Sequence, residues 1–180
     1  MPHFENVQQR RTKRQKDTAE IFTPNDLVAK MLSHLPEEVW EEGKTFCDPA
    51  CGNGNFLIAA LWRKLDLGHD PTEALRCIYG VDIMRDNIAE CRLRLLKVMS
   101  VYSDITKDHI KIVFKNICFA NPKTKYKNGS LSFPFNFSGG GRSNDFCEDW
   151  LQKIADGMLN QIELPLGDAD DVPSSYIDFD

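Results

Sequence analysis

Long apolar runs are missing from this sequence: no stretch approaches the roughly 18 to 20 apolar residues that cross a bilayer. The opening MPHFENVQQRRTKRQK has no apolar segment behind its charges, so neither membrane insertion nor secretion is indicated. Paired cysteine spacing is missing too. Cys47, Cys51, Cys77, Cys91, Cys118 and Cys147 are scattered, four of them within apolar, regularly patterned segments, and read as reduced core residues of a cytoplasmic protein. No second pair and no nearby histidine completes a tetrahedral ligand set around Cys47 and Cys51, so no metal site is expected. Internal repeats are absent as well.

What is present suffices for one globular domain: 180 residues, 42% of them hydrophobic. The net charge of -5 hides an asymmetry, because residues 145–180 hold ten acidic residues against the single basic Lys153. The first 144 residues are left with 21 basic and 17 acidic side chains. Arg10, Arg11, Lys13, Arg14 and Lys16 form a cluster able to neutralise phosphates, or equally a solvated arm. The expected organisation is a basic arm at 1–16, one domain at 17–162 and an acidic tail at 163–180.

Along the chain, Thr23 reads as a helix N-cap with Pro24 at the first helical position, and Leu27, Val28, Met31, Leu32 and Leu35 mark an apolar face that Pro36 ends. A first strand is expected at about Lys44 to Asp48, then a glycine turn and a helix from Asn55 to about Leu65. Cys77 to Ile83 reads as a second buried strand, followed by a helix from Asp86 to about Met99 carrying Ile88, Cys91, Leu95 and Met99. His109 to Asn116 (HIKIVFKN) is expected to be a third strand. Strands alternating with helices predict an α/β fold with a mostly parallel, doubly wound sheet. Asn121 to Asn144, rich in Gly, Pro, Asn and Ser, reads as a long loop, with alternating Leu131, Phe133, Phe135 and Phe137 allowing a short edge strand. Helical spacing returns from Phe146 to Ile162, with Trp150, Leu151, Ile154, Met158 and Ile162 on one stripe.

The strongest signal is Asp48-Pro49-Ala50-Cys51-Gly52-Asn53-Gly54-Asn55-Phe56-Leu57 between a strand and a helix. Gly52 and Gly54 let the backbone turn sharply and approach a ligand, while the helix start presents free N–H groups. This segment resembles the cofactor-binding motif I of N6-adenine DNA methyltransferases. Phe22-Thr23-Pro24 is similar to that family's motif X, and Tyr79-Gly80-Val81-Asp82-Ile83 to its motif II. The resemblance implies a Rossmann-like fold and S-adenosylmethionine as cofactor. It further implies that Phe22, Thr23 and Pro24 help hold the methionine end, and that Asp48 meets the methionine ammonium within a loop of Pro49, Ala50, Gly52, Asn53, Gly54, Asn55 and Phe56. Asp82, 28 residues past Gly54, would accept from the ribose hydroxyls, with Ile83 packing on adenine. Asn116 and Ile117, expected at the end of the third strand, are the candidates for the adenine amino group and its apolar neighbour. A nicotinamide site is disfavoured, since Leu57 stands where the third glycine of the dinucleotide fingerprint belongs.

The resemblance covers roughly residues 17–120 and then breaks. The family's motif IV, (Asp or Asn)-Pro-Pro-(Tyr or Phe), which orients the target amino group and stacks on the flipped base, has no counterpart in the sequence. Asn121, Pro122 and Tyr126 are the nearest catalytic candidates, with altered spacing, and the fold is expected to be reduced at its C-terminal end. The expected function is a DNA adenine-N6 methyltransferase-like protein of restriction-modification or phage context, in the cytoplasm or host cytoplasm. The alternative is a catalytically deficient, S-adenosylmethionine-binding regulatory or partner subunit. The expected partners are DNA and a second copy or partner subunit, with no membrane.

Overall fold

A computed structural model of the chain describes residues 23–120 and 144–162. The expected basic arm and acidic tail therefore lie outside the described residues, as do Phe22, Asn121, Pro122 and Tyr126. Helix α1 (Asn25–Ser33) leads through a 3-10 turn (Glu37–Trp40) to strand β1 (Phe46–Asp48) and helix α2 (Asn55–Asp66). A short helix α3 (Pro71–Arg76) precedes β2 (Ile78–Asp82), and helix α4 (Arg85–Tyr102) follows it. Helix α5 (Lys107–Asn116) runs directly into β3 (Ile117–Phe119), and α6 (Asn144–Ala155) with a 3-10 turn (Met158–Gln161) completes the described chain.

The three strands form a parallel sheet in the order β1-β2-β3. Asp48 pairs with Gly80, Gly80 with Ile117, and Asp82 with Phe119, so the carboxyl ends of all strands open on one side. Helices α2 and α4 pack on one face, burying Leu57, Ile58, Leu61, Ile88, Cys91 and Leu95 against Ile78 and Ile117. Gly80 sits at the closest approach. A Cβ there would lie 2.5 Å from Leu57 Cδ1 and 3.0 Å from Cys51 Sγ, so a larger residue would have to displace the side chains through which α2 and the turn before it rest on the sheet. No helix among the described residues is long and apolar enough to cross a membrane.

Several expectations are corrected. Pro24, not Thr23, is the N-cap of α1, with the first helical bond running from Val28 N to Pro24 O, and Thr23 makes no side-chain cap. Only Val28 and Leu32 of that helix are buried, while Leu27 and Met31 are exposed. HIKIVFKN is a helix, and the third strand begins where it ends. Thr106 and His109 form a reciprocal capping box: the Thr106 hydroxyl accepts from His109 N, and His109 Nδ1 accepts from Thr106 N, both at 3.3 Å. From that cap His109, Ile110, Ile112, Val113 and Asn116 turn inward with helical spacing.

The helix expected from Phe146 to Ile162 stops at Ala155, because Gly157 adopts a left-handed φ of 87°. Its aromatic face serves the chain's own core: Phe146 and Trp150 each lie 4.8 Å from the Phe114 ring of α5. All six cysteines are free, but only Cys51, Cys91 and Cys147 are buried. Cys47 is exposed because it alternates onto the sheet face opposite α2 and α4, in register with Tyr79.

Candidate functional site

The glycine turn between β1 and α2 shapes a cleft of about 150 Å3 at the strand ends, lined by Thr23, Asp48, Ala50, Cys51, Gly52, Asn53, Asn55 and Phe56. Gly52 (φ 52°) and Gly54 (φ 96°) both occupy the left-handed region, which is why the turn takes glycine at these two positions. Gly54 is also the N-cap of α2, and its carbonyl accepts from Ile58 N at 2.9 Å. Behind it a Cβ would stand 2.6 Å from Cys91 Sγ, so the turn is pressed against α4.

Two carboxylates face this turn. Asp48 ends β1, and its Oδ1 accepts from Ala50 N at 2.9 Å. Burial pushes its pKa above the ordinary carboxylate value; the Ala50 N–H opposes that shift and the nearby Asp82 charge adds to it. Asp82 ends β2 and is buried. Its Oδ2 accepts from Gly52 N at 3.0 Å, and its Oδ1 from Met84 N at 2.7 Å and from Asn87 Nδ2 at 3.4 Å. Asp82 thus fastens the glycine turn to the neighbouring strand, a task not visible in the sequence. A carboxylate offers about four acceptor positions, so Oδ2 keeps one after these three donors.

The other wall of the cleft is tied in from a distance. Asn55 Nδ2 donates to Thr23 O at 2.9 Å, joining α2 to the turn that precedes α1. Arg94, buried in α4, donates from Nη1 to Asn53 O at 2.8 Å and from Nη2 to Asn55 Oδ1 at 3.0 Å. Glu90, one turn earlier, accepts from Asn53 Nδ2 at 2.9 Å.

The structure therefore brings Thr23, Asp48, Ala50, Gly52, Asn53, Asn55 and Phe56 together, with Gly54 buried behind the turn and Pro24 and Pro49 exposed beside it. Asp82 and Ile83 stand at the adjacent strand end, Ile83 with 58% of its surface exposed. Asn116 and Ile117 are not there. Asn116 ends α5 and Ile117 begins β3 instead of ending it: Asn116 is buried with its Nδ2 donating to Arg76 O at 3.0 Å, and Ile117 pairs with Gly80. The strand end belongs to Phe119, 47% exposed, with the Arg85 guanidinium 4.3 Å from its ring centre. Placing the third strand one element too early hid Phe119. Cys51, Glu90 and Arg94 were also missed; the only signal for the last two is a row of polar side chains, Asn87, Glu90 and Arg94, at helical spacing beside an apolar face. Among the described residues no cluster of His, Cys, Asp or Glu is arranged to hold a metal ion.

A glycine turn from a parallel strand into a helix, with an acidic residue ending the next strand, is the arrangement of a nucleoside-cofactor cleft in open α/β folds. Comparison with known families makes that class specific. The family model for N-6 DNA Methylase matches residues 4–132, and the chain belongs to this family. A curated relative, the Type II methyltransferase M.VspI of Vibrio sp. (strain 343), is 35% identical over an alignment of 109 residues that covers 57% of this chain and 24% of the relative. The chain thus spans about a quarter of that relative's length. No solved structure matches significantly.

Proposed function

We propose that the cleft binds S-adenosylmethionine and that the chain is the cofactor-binding part of a DNA adenine-N6 methyltransferase. The observation that carries this reading is geometric: the carboxylate of Asp48 at the end of β1 lines the cleft, and the buried carboxylate of Asp82 at the end of β2 grips the glycine turn that shapes it. The cofactor's ammonium suits the Asp48 carboxylate. Helix α2 begins at the same cleft, which Asn55 and Phe56 of its first turn line, and the free N–H groups of a helix start suit the cofactor's carboxylate. At about 150 Å3 the cleft is smaller than the roughly 300–1,000 Å3 that encloses a whole drug-sized ligand, so it takes one end of the cofactor. The nucleoside end would extend along the strand ends, its ribose toward the remaining acceptor position of Asp82 and its adenine between exposed Ile83 and Phe119. When bound, the group offers an electrophilic methyl on sulfonium sulfur. The residues described here bind and orient it.

Family membership and the Type II relative support DNA adenine as acceptor and a restriction-modification setting. The compartment in this reading is the cytoplasm, or a host cytoplasm if phage-encoded. A second reading, a cofactor-binding subunit that does not itself transfer methyl groups, is favoured by the lack of an (Asp or Asn)-Pro-Pro-(Tyr or Phe) tetrapeptide in the 180 residues. In that reading a partner subunit or second copy completes the site. Titration calorimetry with S-adenosylhomocysteine tests the common part: heat is expected, and it should be lost in Asp82→Ala. No binding at millimolar cofactor overturns the proposal. Radiolabelled methyl transfer to unmethylated DNA by the pure chain separates the two readings.

A further inference from the structure

The row of polar side chains on α4 has no place in the cofactor contacts just assigned, yet every member reaches the cleft's framework. Asn87 meets the Asp82 carboxylate, Glu90 holds the side chain of Asn53, and Arg94 holds the backbone of Asn53 together with the side chain of Asn55. Asn55 in turn grips Thr23 O. A single guanidinium on α4 therefore holds the glycine turn directly and the Thr23 turn through one amide. The residues it joins, Thr23, Asn53 and Asn55, all line the cleft.

Burying a cation at 3% exposure is costly, and an apolar side chain of similar size is often as stabilising at such a position. What Arg94 supplies instead is geometry. Its planar fork fixes two acceptors at a set separation, which neither an ammonium nor an apolar chain can do. Asn55 is suited to relay that position: its Oδ1 accepts from Arg94 while its Nδ2 donates to Thr23 O, so a shift of the guanidinium reaches both the glycine turn and the Thr23 turn.

We propose that Arg94 is a positioning residue for the cofactor, holding the glycine turn and the Thr23 turn at the separation that preforms the cleft. The inference rests on the cofactor reading above. It predicts that Arg94 acts on affinity beyond any effect on stability, because it stands outside the cleft lining and holds residues that form it.

The test is calorimetry with S-adenosylhomocysteine on the full chain, its Arg94→Met and Arg94→Lys variants, Asn55→Ala, and the double variant Arg94→Met with Asn55→Ala. Circular dichroism and urea unfolding establish the folded fraction of each. Losing a supporting contact behind metal ligands costs about tenfold to hundredfold in affinity, and a loss of at least that lower size is expected for folded Arg94→Met. Arg94→Lys, which can satisfy one acceptor but not both, should recover part of the loss. The effects of Arg94→Met and Asn55→Ala should not multiply, since they break the same relay. Unchanged affinity in folded Arg94→Met, or full multiplication of the two effects, overturns the inference. If Arg94→Met does not fold, Arg94→Lys decides: weakened binding in that folded variant supports the positioning role, and parental affinity overturns it. Absence of binding in the unsubstituted chain overturns the cofactor reading and this inference together, whereas binding there with unaltered variants overturns this inference alone.

Discussion

Replacing Gly54 by alanine introduces two separate penalties that can be told apart by a second substitution. The first is conformational: at φ 96° an L side chain is strained, at about 1–2 kcal/mol. The second is steric. The new methyl would stand 2.6 Å from Cys91 Sγ and 3.3 Å from its Cβ, well inside contact distance, and overpacking of this kind costs about 1–3 kcal/mol. The single variant should therefore lose about 2–5 kcal/mol, a large part of the stability of an ordinary domain. Cys91→Ala alone removes a buried sulfur and should cost about 1 kcal/mol through the space it leaves. In the double variant the methyl introduced at position 54 occupies that space, so the steric penalty and the cavity cancel while the conformational one stays. Urea unfolding followed by circular dichroism should then show the double variant more stable than Gly54→Ala, with a coupling of about 2–4 kcal/mol, the steric and cavity costs together. Additivity within about 0.5 kcal/mol would show that the turn does not press on α4 as described.

Three further outcomes follow from the site and its surroundings. Asp48→Asn should weaken cofactor binding while stabilising the ligand-free protein at neutral pH. Its folded-state pKa is raised by burial, so the charged form opposes folding above the ordinary carboxylate range and the gain should vanish on acidification; a less stable variant in thermal scans at pH 7 would contradict this. His109 is expected to make the fold acid-sensitive. Burial lowers its pKa below 6.5, with Nδ1 accepting from Thr106 N and Nε2 placed to donate to Thr72 Oγ1 at 3.0 Å, so its contribution is complete above pH 6.5 and lost as pH falls. His109→Gln should flatten stability between pH 7 and about 5, as read from urea midpoints. The isolated chain should methylate DNA adenine far below about 1 per second, a typical enzymatic turnover, in a radiolabel assay, and a rate at that level would point to Tyr126→Ala as the next variant.

The cofactor half of the fold was legible because its signals are local. A strand, a glycine turn and an amphipathic helix succeed one another from Phe46 to Asp66, and the next strand and helix repeat the scheme from Ile78 to Tyr102. The stretch before β3 was misread because HIKIVFKN alternates over a few residues as a strand does. The feature that decides for helix is a capping box with histidine in the place where glutamate or glutamine is usual. Helix α3 was overlooked although Asp70 caps it by accepting from Glu73 N and Pro71 opens it, since six residues show too little periodicity. The ties from Arg94 to Asn53 and Asn55, and from Asn55 to Thr23, join residues 32 to 41 positions apart. Nothing in a linear pattern encodes such contacts before the packing that creates them.

Gly80 gives the cleft a floor whose height is set from below. The ligand side of the turn carries the recognisable motif, but the level at which that motif rides is decided by a missing methyl group in the middle of the sheet, against Leu57 and Cys51. A larger residue at 80 would raise the turn and the start of α2 together, like a shim under a plate, leaving every contacting side chain chemically intact. Depth is therefore a property this fold can tune independently of the groups that line the site. If the cleft binds as proposed, a search for altered ligand preference has a lever in a strand residue outside the cleft lining.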